Sequence, residues 1–301
     1  MAKSARDDIT LGELRENCKT AAEAVESAVT GEPADIHESA LERRLAIEGA
    51  TSIVPFTLTP HRPNYLIAAY NFNGFSEGIF ERQFDQKVNF QNPEVKFQIS
   101  YKFALARNLF NDRGAVFAAY TNRSFWQVFD DEDSRPFRET NHEPEAWLAL
   151  NTDWDIFGLH SSLINVGISH QSNGQGGPLS RSWNRIYASF VFERNNFYFG
   201  IKPWYRIPES REDDDNPDIE DYLGHFEFQG IYKHNKQTYG LFFRNNLQSD
   251  NRGAIRLDWS TPVLENVRGY VQWFYGYGES LIDYDNKVHS LGVGIQLSDW
   301  L

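Results

Sequence analysis

The sequence predicts an all-β protein: a transmembrane antiparallel β-barrel of about twelve strands, preceded by a short helical or extended N-terminal extension. Three observations predict it. Segments of period-two polarity recur from Asn64 onward, broken by Asn, Asp, Gly and Pro. The connections between them alternate between short and long, as on the two rims of an outer-membrane barrel. Aromatic residues make up 15% of the 301-residue chain, with Phe 23, Tyr 14 and Trp 8 against one Met and one Cys.

No apolar run reaches the roughly 20 residues that a spanning helix requires, and mean hydropathy is -0.56. A helical membrane protein is excluded. A barrel is not, because its strands alternate lipid-facing with lumen-facing residues and look hydrophilic on average. A formal net charge of -13 argues against nucleic acid as a partner, since phosphate binding needs a basic face. It suits acidic loops that hold cations.

Residues 1–55 read as an acidic N-terminal extension with few aromatics. Leu11 to Val29 is Ala/Glu-rich and predicts a helix, and Ala40 to Glu48 predicts a second. The opening Met1-Ala2-Lys3-Ser4 stretch lacks the apolar segment of a signal peptide. An exported protein would therefore carry this as its mature sequence behind an added Met. Cys18, the single cysteine, excludes an intramolecular disulfide and reads as structurally idle.

The barrel domain is assigned to residues 56–301, with strands starting near 64, 94, 113, 143, 157, 182, 196, 220, 236, 252, 265 and 286. The clearest strand alternates Val95, Phe97, Ile99, Tyr101, Phe103 and Leu105 with Lys96, Gln98, Ser100 and Lys102. It exceeds the usual strand of about 5–6 residues and matches a tilted membrane strand of about 9–11. Phe197, Phe199 and Ile201 mark a later one. Tyr222, Phe226, Phe228 and Tyr232 against Glu227 and Gln229 mark the next, followed by Ile255, Leu257 and Trp259 against Arg256 and Asp258. Val271, Trp273, Tyr275 and Tyr277 come before the last, where Leu291, Val293, Ile295 and Leu297 face away from Gly292, Gly294, Gln296 and Ser298.

Short links are expected around Asn108–Asp112, Asp153–Asp155, Asn195–Asn196, His234–Lys236 and Pro262–Asn266. Long ones are expected around Gly74–Pro93, Asp130–Asn141, Asn173–Arg181 and Pro208–Ile219. Trp300, next to the last residue, suits closure of the barrel. A soluble sandwich or propeller also alternates, but the regular change of loop length favours the barrel. Trp126, Trp147, Trp183, Trp204, Trp259, Trp273 and Trp300 read either as girdles at the lipid boundary or as core packing, with Trp204 on the inward parity.

The stretch from Ile164 to Gly174 carries the chemistry. Residues two apart on a strand share a face, so His170 and Ser172 pair a possible base with a possible nucleophile. Counting back by twos gives Ile168, Val166 and Ile164, all apolar. If that face looks at lipid, His170 and Ser172 do too, and polar groups there are costly enough to need a reason. Asn184 shares the face of Ile186, Ala188, Phe190 and Phe192 on the returning strand. A hairpin across Gly174, Gly176, Gly177 and Pro178 can bring it beside His170. His-x-Ser alone is weakly specific and is more often an ordinary polar rim. The run Glu209-Ser210-Arg211-Glu212-Asp213-Asp214-Asp215 reads, on its own, as a solvated loop without the spacing of an EF-hand.

At these residues the chain resembles the outer-membrane phospholipase A family. The likeness rests on His170-Gln171-Ser172-Asn173-Gly174 and Ser180-Arg181-Ser182-Trp183-Asn184-Arg185. Supporting blocks are Thr59 to Tyr65, Ser134 to Asn141, Lys202-Pro203-Trp204-Tyr205, Asp214 to Ile219 and Gly276 to Tyr284. The resemblance implies a twelve-stranded barrel of the bacterial outer membrane that hydrolyses phospholipids and lysophospholipids at either acyl position. It implies activation by dimerisation with calcium. It makes Ser172 the nucleophile, His170 the base and Asn184 its orienter. For the metal it implies the Ser180 hydroxyl, the Gln175 backbone carbonyl and Ser134 of the partner subunit, with Asp215 a calcium ligand of the monomeric form. Two departures stand out: Asn122 replaces a Gln typical of the dimer interface, and Gln175 replaces a common Arg. A non-catalytic barrel (a pore or adhesin) and a soluble secreted β hydrolase are the competing readings. Against the pore, the inward positions Lys96, Lys102, Arg185, Tyr187, Glu193, Lys202, Trp204, Glu227, Arg256 and Asp258 are bulky and mixed in charge.

Overall fold

The computed structural model describes residues 57–85, 87–111, 113–131, 135–156 and 158–299, together with Leu41 and Arg44. Leu41 and Arg44 are helical. The helix expected over Leu11–Val29, the rest of Ala40–Glu48, and Cys18, Ser134 and Trp300 lie outside the described residues.

Twelve strands build the barrel: β1 (Asn64–Asn71), β2 (Pro93–Leu109), β3 (Gly114–Trp126), β4 (Phe137–Ile156), β5 (Leu159–Ser172) and β6 (Ser182–Arg194), then β7 (Phe197–Ile207), β8 (Phe226–His234), β9 (Gln237–Asn245), β10 (Gly253–Leu264), β11 (Val267–Tyr277) and β12 (Lys287–Ser298). Each pairs antiparallel with its neighbours in the chain, and β12 closes on β1 with Val293 opposite Ala68 and Gly294 opposite Ile67. Closure leaves no free edge to template aggregation.

The period-two pattern turns into two faces. On β12, Val293 and Leu297 are 57% and 65% exposed while Gln296 is buried. On β2, Glu94, Lys96, Gln98 and Ser100 are buried and Ile99 is exposed. Apolar outside and polar inside is the reverse of a soluble protein, and it is what a barrel in lipid requires. Asn108, Asn111, Asn195 and Asn235 turn the short rim with φ near +55°, the left-handed region that Asn tolerates better than most residues.

The lumen is filled. Arg138 reaches Glu94 at 3.0 Å and Asp283 at 2.6 Å, and Lys96 reaches Glu279 at 2.6 Å. Arg62 bridges Glu143 at 2.7 Å and Glu145 at 2.9 Å, and Arg256 pairs with Asp258 at 2.9 Å. Pairing of this kind offsets the cost of removing each charge from water. Toward the long-loop rim, Trp147, Trp183, Tyr187 and Trp204 cluster with Ile219 and Leu223 of a short helix, α1 (Ile219–Leu223), and with Leu281.

Several expectations need correction. The strand expected near 220 begins at Phe226, and Tyr222 lies on α1, where it packs against the lumen cluster. Gly224 separates the two: it has a φ of +69°, and a Cβ there would meet the Asn245 carbonyl oxygen at 2.2 Å. Strand β4 starts at Phe137, which places Asn141 in the sheet rather than in a loop, and continues through Asp153–Asp155 to Ile156. Strand β10 runs past Pro262 to Leu264. The tryptophans divide between the two readings: Trp204 is lumen core as its parity predicts, Trp147 and Trp183 join it there, and Trp259 is 39% exposed on the outer wall.

Candidate active site

Strands β5 and β6 meet across the hairpin with His170 opposite Asn184 and, two pairs further down the wall, Ile168 opposite Ile186. Val166, Ile168 and Ile186 are exposed, as is His170, whereas Gly167 and Ser169 are buried. The histidine therefore projects from the lipid-facing wall at the long-loop rim. His170 Nδ1 and Asn184 Oδ1 are 2.8 Å apart. Because a carboxamide oxygen only accepts, the imidazole donates from Nδ1 and keeps Nε2 as its basic nitrogen. Ser172 follows two residues on, with the same parity, its backbone opposite His142 on one side and Ser182 on the other.

The hairpin loop is tied down by Asn173, which is buried. Its Oδ1 accepts from the Gln175 and Arg181 amides at 3.3 and 3.0 Å, and its Nδ2 donates to the Leu179 carbonyl at 2.8 Å. Gly174 and Gly177 take φ values of +65° and +60°, which glycine adopts without strain.

The acidic loop is pinned onto this rim and is not merely solvated. Asp215 Oδ2 accepts from the Ser180 hydroxyl at 2.5 Å, and Glu209 Oε1 accepts from Asn184 Nδ2 at 2.7 Å. Asn216 Oδ1 accepts from the Ser182 amide at 2.9 Å, and Asp214 pairs with Arg206 at 2.5 Å. The metal candidates are only partly brought together. Ser180 and Asp215 touch, Gln175 stands on the same hairpin loop, and Ser134 is outside the described residues. Among the described residues no group of three or more His, Cys, Asp or Glu gathers to hold a metal. A cation here would rest on hydroxyl and carbonyl oxygens beside one carboxylate, a donor set suited to calcium.

Sequence reading missed two neighbours. Glu209 was part of a charge run with no visible destination. His142 lies opposite Ser172 and Asn122 lies opposite His142, a polar row along the outer wall. The Tyr120 hydroxyl is 2.5 Å from His142 Nδ1. Parity puts His142 on the outer face, but its alignment with Ser172 depends on register, which no local pattern specifies.

A closed twelve-stranded barrel with an apolar outer wall and a filled lumen defines an outer-membrane β-barrel protein, here with a histidine–asparagine pair on its lipid side. The chain belongs to the phospholipase A1 family, which it matches over residues 41–297. It is 36% identical over 284 residues to the phospholipase A1 of Klebsiella pneumoniae, covering 94% of this chain and 97% of that one. Outer membrane phospholipase A from Escherichia coli superposes with a TM-score of 0.77 at 37% identity, covering 82% of this chain and 94% of that one. That enzyme is also known as an active-site mutant with an asparagine replaced by alanine. The Salmonella typhi outer membrane phospholipase, a dimer with bound calcium, superposes with a TM-score of 0.76 at 36% identity, with the same coverage. The protein is thus a phospholipase of the bacterial outer membrane.

Proposed function

We propose that the chain hydrolyses acyl esters of membrane phospholipids and lysophospholipids, at either acyl position, by a Ser172–His170–Asn184 mechanism. The observation that carries this reading is the His170–Asn184 hydrogen bond on the lipid-facing wall, two residues from Ser172. His170 Nε2 takes the hydroxyl proton as Ser172 Oγ attacks the ester carbonyl. The tetrahedral adduct collapses, the alcohol portion leaves with that proton, and the acyl group stays on the serine. Water, deprotonated by the same nitrogen, then releases the fatty acid. Asn184 holds the ring without adding a charge, which suits a group bathed in hydrocarbon.

Calcium is the implied cofactor: in the homodimer the Ser180 hydroxyl, the Gln175 backbone carbonyl and Ser134 of the partner subunit would hold it, and Asp215 would be a ligand in the monomeric form. The contact between Ser180 and Asp215 supports an oxygen site at this place. Bound there, calcium supplies positive charge that favours the developing oxyanion. The row Asn122–His142–Ser172 supports a dimer face running up to the serine.

The test is hydrolysis of detergent-dispersed phospholipid, with calcium and with a chelator. Ser172→Ala and His170→Ala should each lose about a thousandfold or more in kcat, and chelation should lower the wild-type rate. An undiminished Ser172→Ala variant would reject the serine, and an unchanged rate in chelator would reject the metal.

A further inference from the structure

The Ser–His–Asn reading leaves one requirement open. A carboxamide can turn over, exchanging its oxygen for its NH2 group at little steric cost. If Asn184 turned over, it would present a donor to His170 Nδ1. The imidazole would then carry its proton on Nε2 and could not act as the base. Something must hold the amide the right way round.

We propose that Glu209 does so, as a positioning residue for Asn184, an inference that rests on the proposed Ser172–His170–Asn184 mechanism. Glu209 Oε1 lies 2.7 Å from Asn184 Nδ2, and an ionised carboxylate only accepts. The turned-over amide would set oxygen against oxygen, so only one orientation is bonded at both ends: NH2 to Glu209, oxygen to His170. The backbone delivers this geometry. Asn184 is opposite Ile207 on β7, and Glu209 follows two residues later. The loop beyond is anchored by the Arg206–Asp214 ion pair and by Asn216 on the Ser182 amide. Among the described residues, Glu209 Oε2 is buried with no hydrogen-bond partner. Desolvating a carboxylate oxygen without a partner is costly, and a loop glutamate with no task would turn it to water. The chain Ser172–His170–Asn184–Glu209 thus ends on a negative charge, set one amide away from the imidazole. That charge strengthens the amide oxygen as an acceptor when the ring becomes imidazolium, the role an aspartate plays directly in other triads.

The experiment measures kcat and KM on detergent-dispersed phospholipid in saturating calcium, for the full chain and variants whose folding is verified by heat-modifiable migration on gels. Glu209→Ala should lower kcat about tenfold, the scale of a lost hydrogen bond to a charged group, with KM within about twofold. Glu209→Gln keeps an acceptor but loses the charge, and should fall between the two. The discriminating variant is a swap. Asn184→Asp alone sets two carboxylates in contact, which cannot both ionise, and should be nearly inactive. Asn184→Asp combined with Glu209→Gln gives the new carboxylate an amide donor and should recover at least about tenfold over Asn184→Asp alone. Wild-type kcat in Glu209→Ala, or no recovery in the double variant, would overturn the proposal. If Ser172→Ala is inactive while Glu209→Ala is not impaired, only the role of Glu209 fails. If Ser172→Ala is active, the underlying mechanism fails first.

Discussion

The residues at the rim divide by what removing each would cost. In the proposed mechanism His170 is the base and Ser172 the nucleophile, so losing either removes a reacting atom. Asn184 orients the ring through one hydrogen bond. Asn184→Ala should therefore lower kcat by about ten- to a hundredfold, less than either of the others, with KM nearly unchanged. Steady-state kinetics on the same dispersed substrate checks this ordering. That His170, Ser172 and Asn184 share one face was legible in the sequence, because strand parity assigns faces without any knowledge of the partner strand; the role of each came only with the family resemblance. The places of Glu209 and His142 were not legible. One reaches the site through the path of a ten-residue loop and the other through cross-strand register, and neither leaves a periodic trace.

The strands were the most legible elements, since alternation survives at almost every position of β2, β10 and β12. The stretch before β8 misled for a physical reason: Tyr222, Phe226 and Phe228 keep an even spacing through a helix of only five residues, too short to show its own period. What the pattern could not reveal is where strands must approach closely. At the closing seam a Cβ on Gly294 would meet the Leu66 carbonyl oxygen at 2.1 Å and Ile67 Cα at 2.7 Å. Backbone cannot give way as a flexible side chain can. Gly294→Val should destabilise the barrel by roughly 1–3 kcal/mol or more, read as a lower midpoint of thermal unfolding in detergent by gel mobility. Gly176→Ala, which would meet nothing within 4 Å among the described residues, should leave that midpoint in place.

For the whole molecule, inward parity of bulky and charged residues foretold a closed interior, and the ion pairs of Arg62, Lys96, Arg138 and Arg256 fill it. The barrel should consequently show no large, steady channels when reconstituted in a planar bilayer, and conductance traces like those of a water-filled pore would contradict the filled lumen. The division of the tryptophans between lumen and wall was readable only in part: parity placed Trp204 inward and Trp259 outward, whereas Trp147 and Trp183 were left between girdle and core, because an aromatic suits either neighbour.

The placement of His170 and Asn184 on the outside of the wall has a kinetic corollary. In the proposed mechanism a substrate molecule need not leave its monolayer, cross water and enter a cleft; it arrives sideways, by diffusion in two dimensions. The concentration that governs turnover is then the mole fraction of ester in the surrounding amphiphile film, so diluting that film with inert detergent slows the enzyme even when the amount of lipid per litre is held constant.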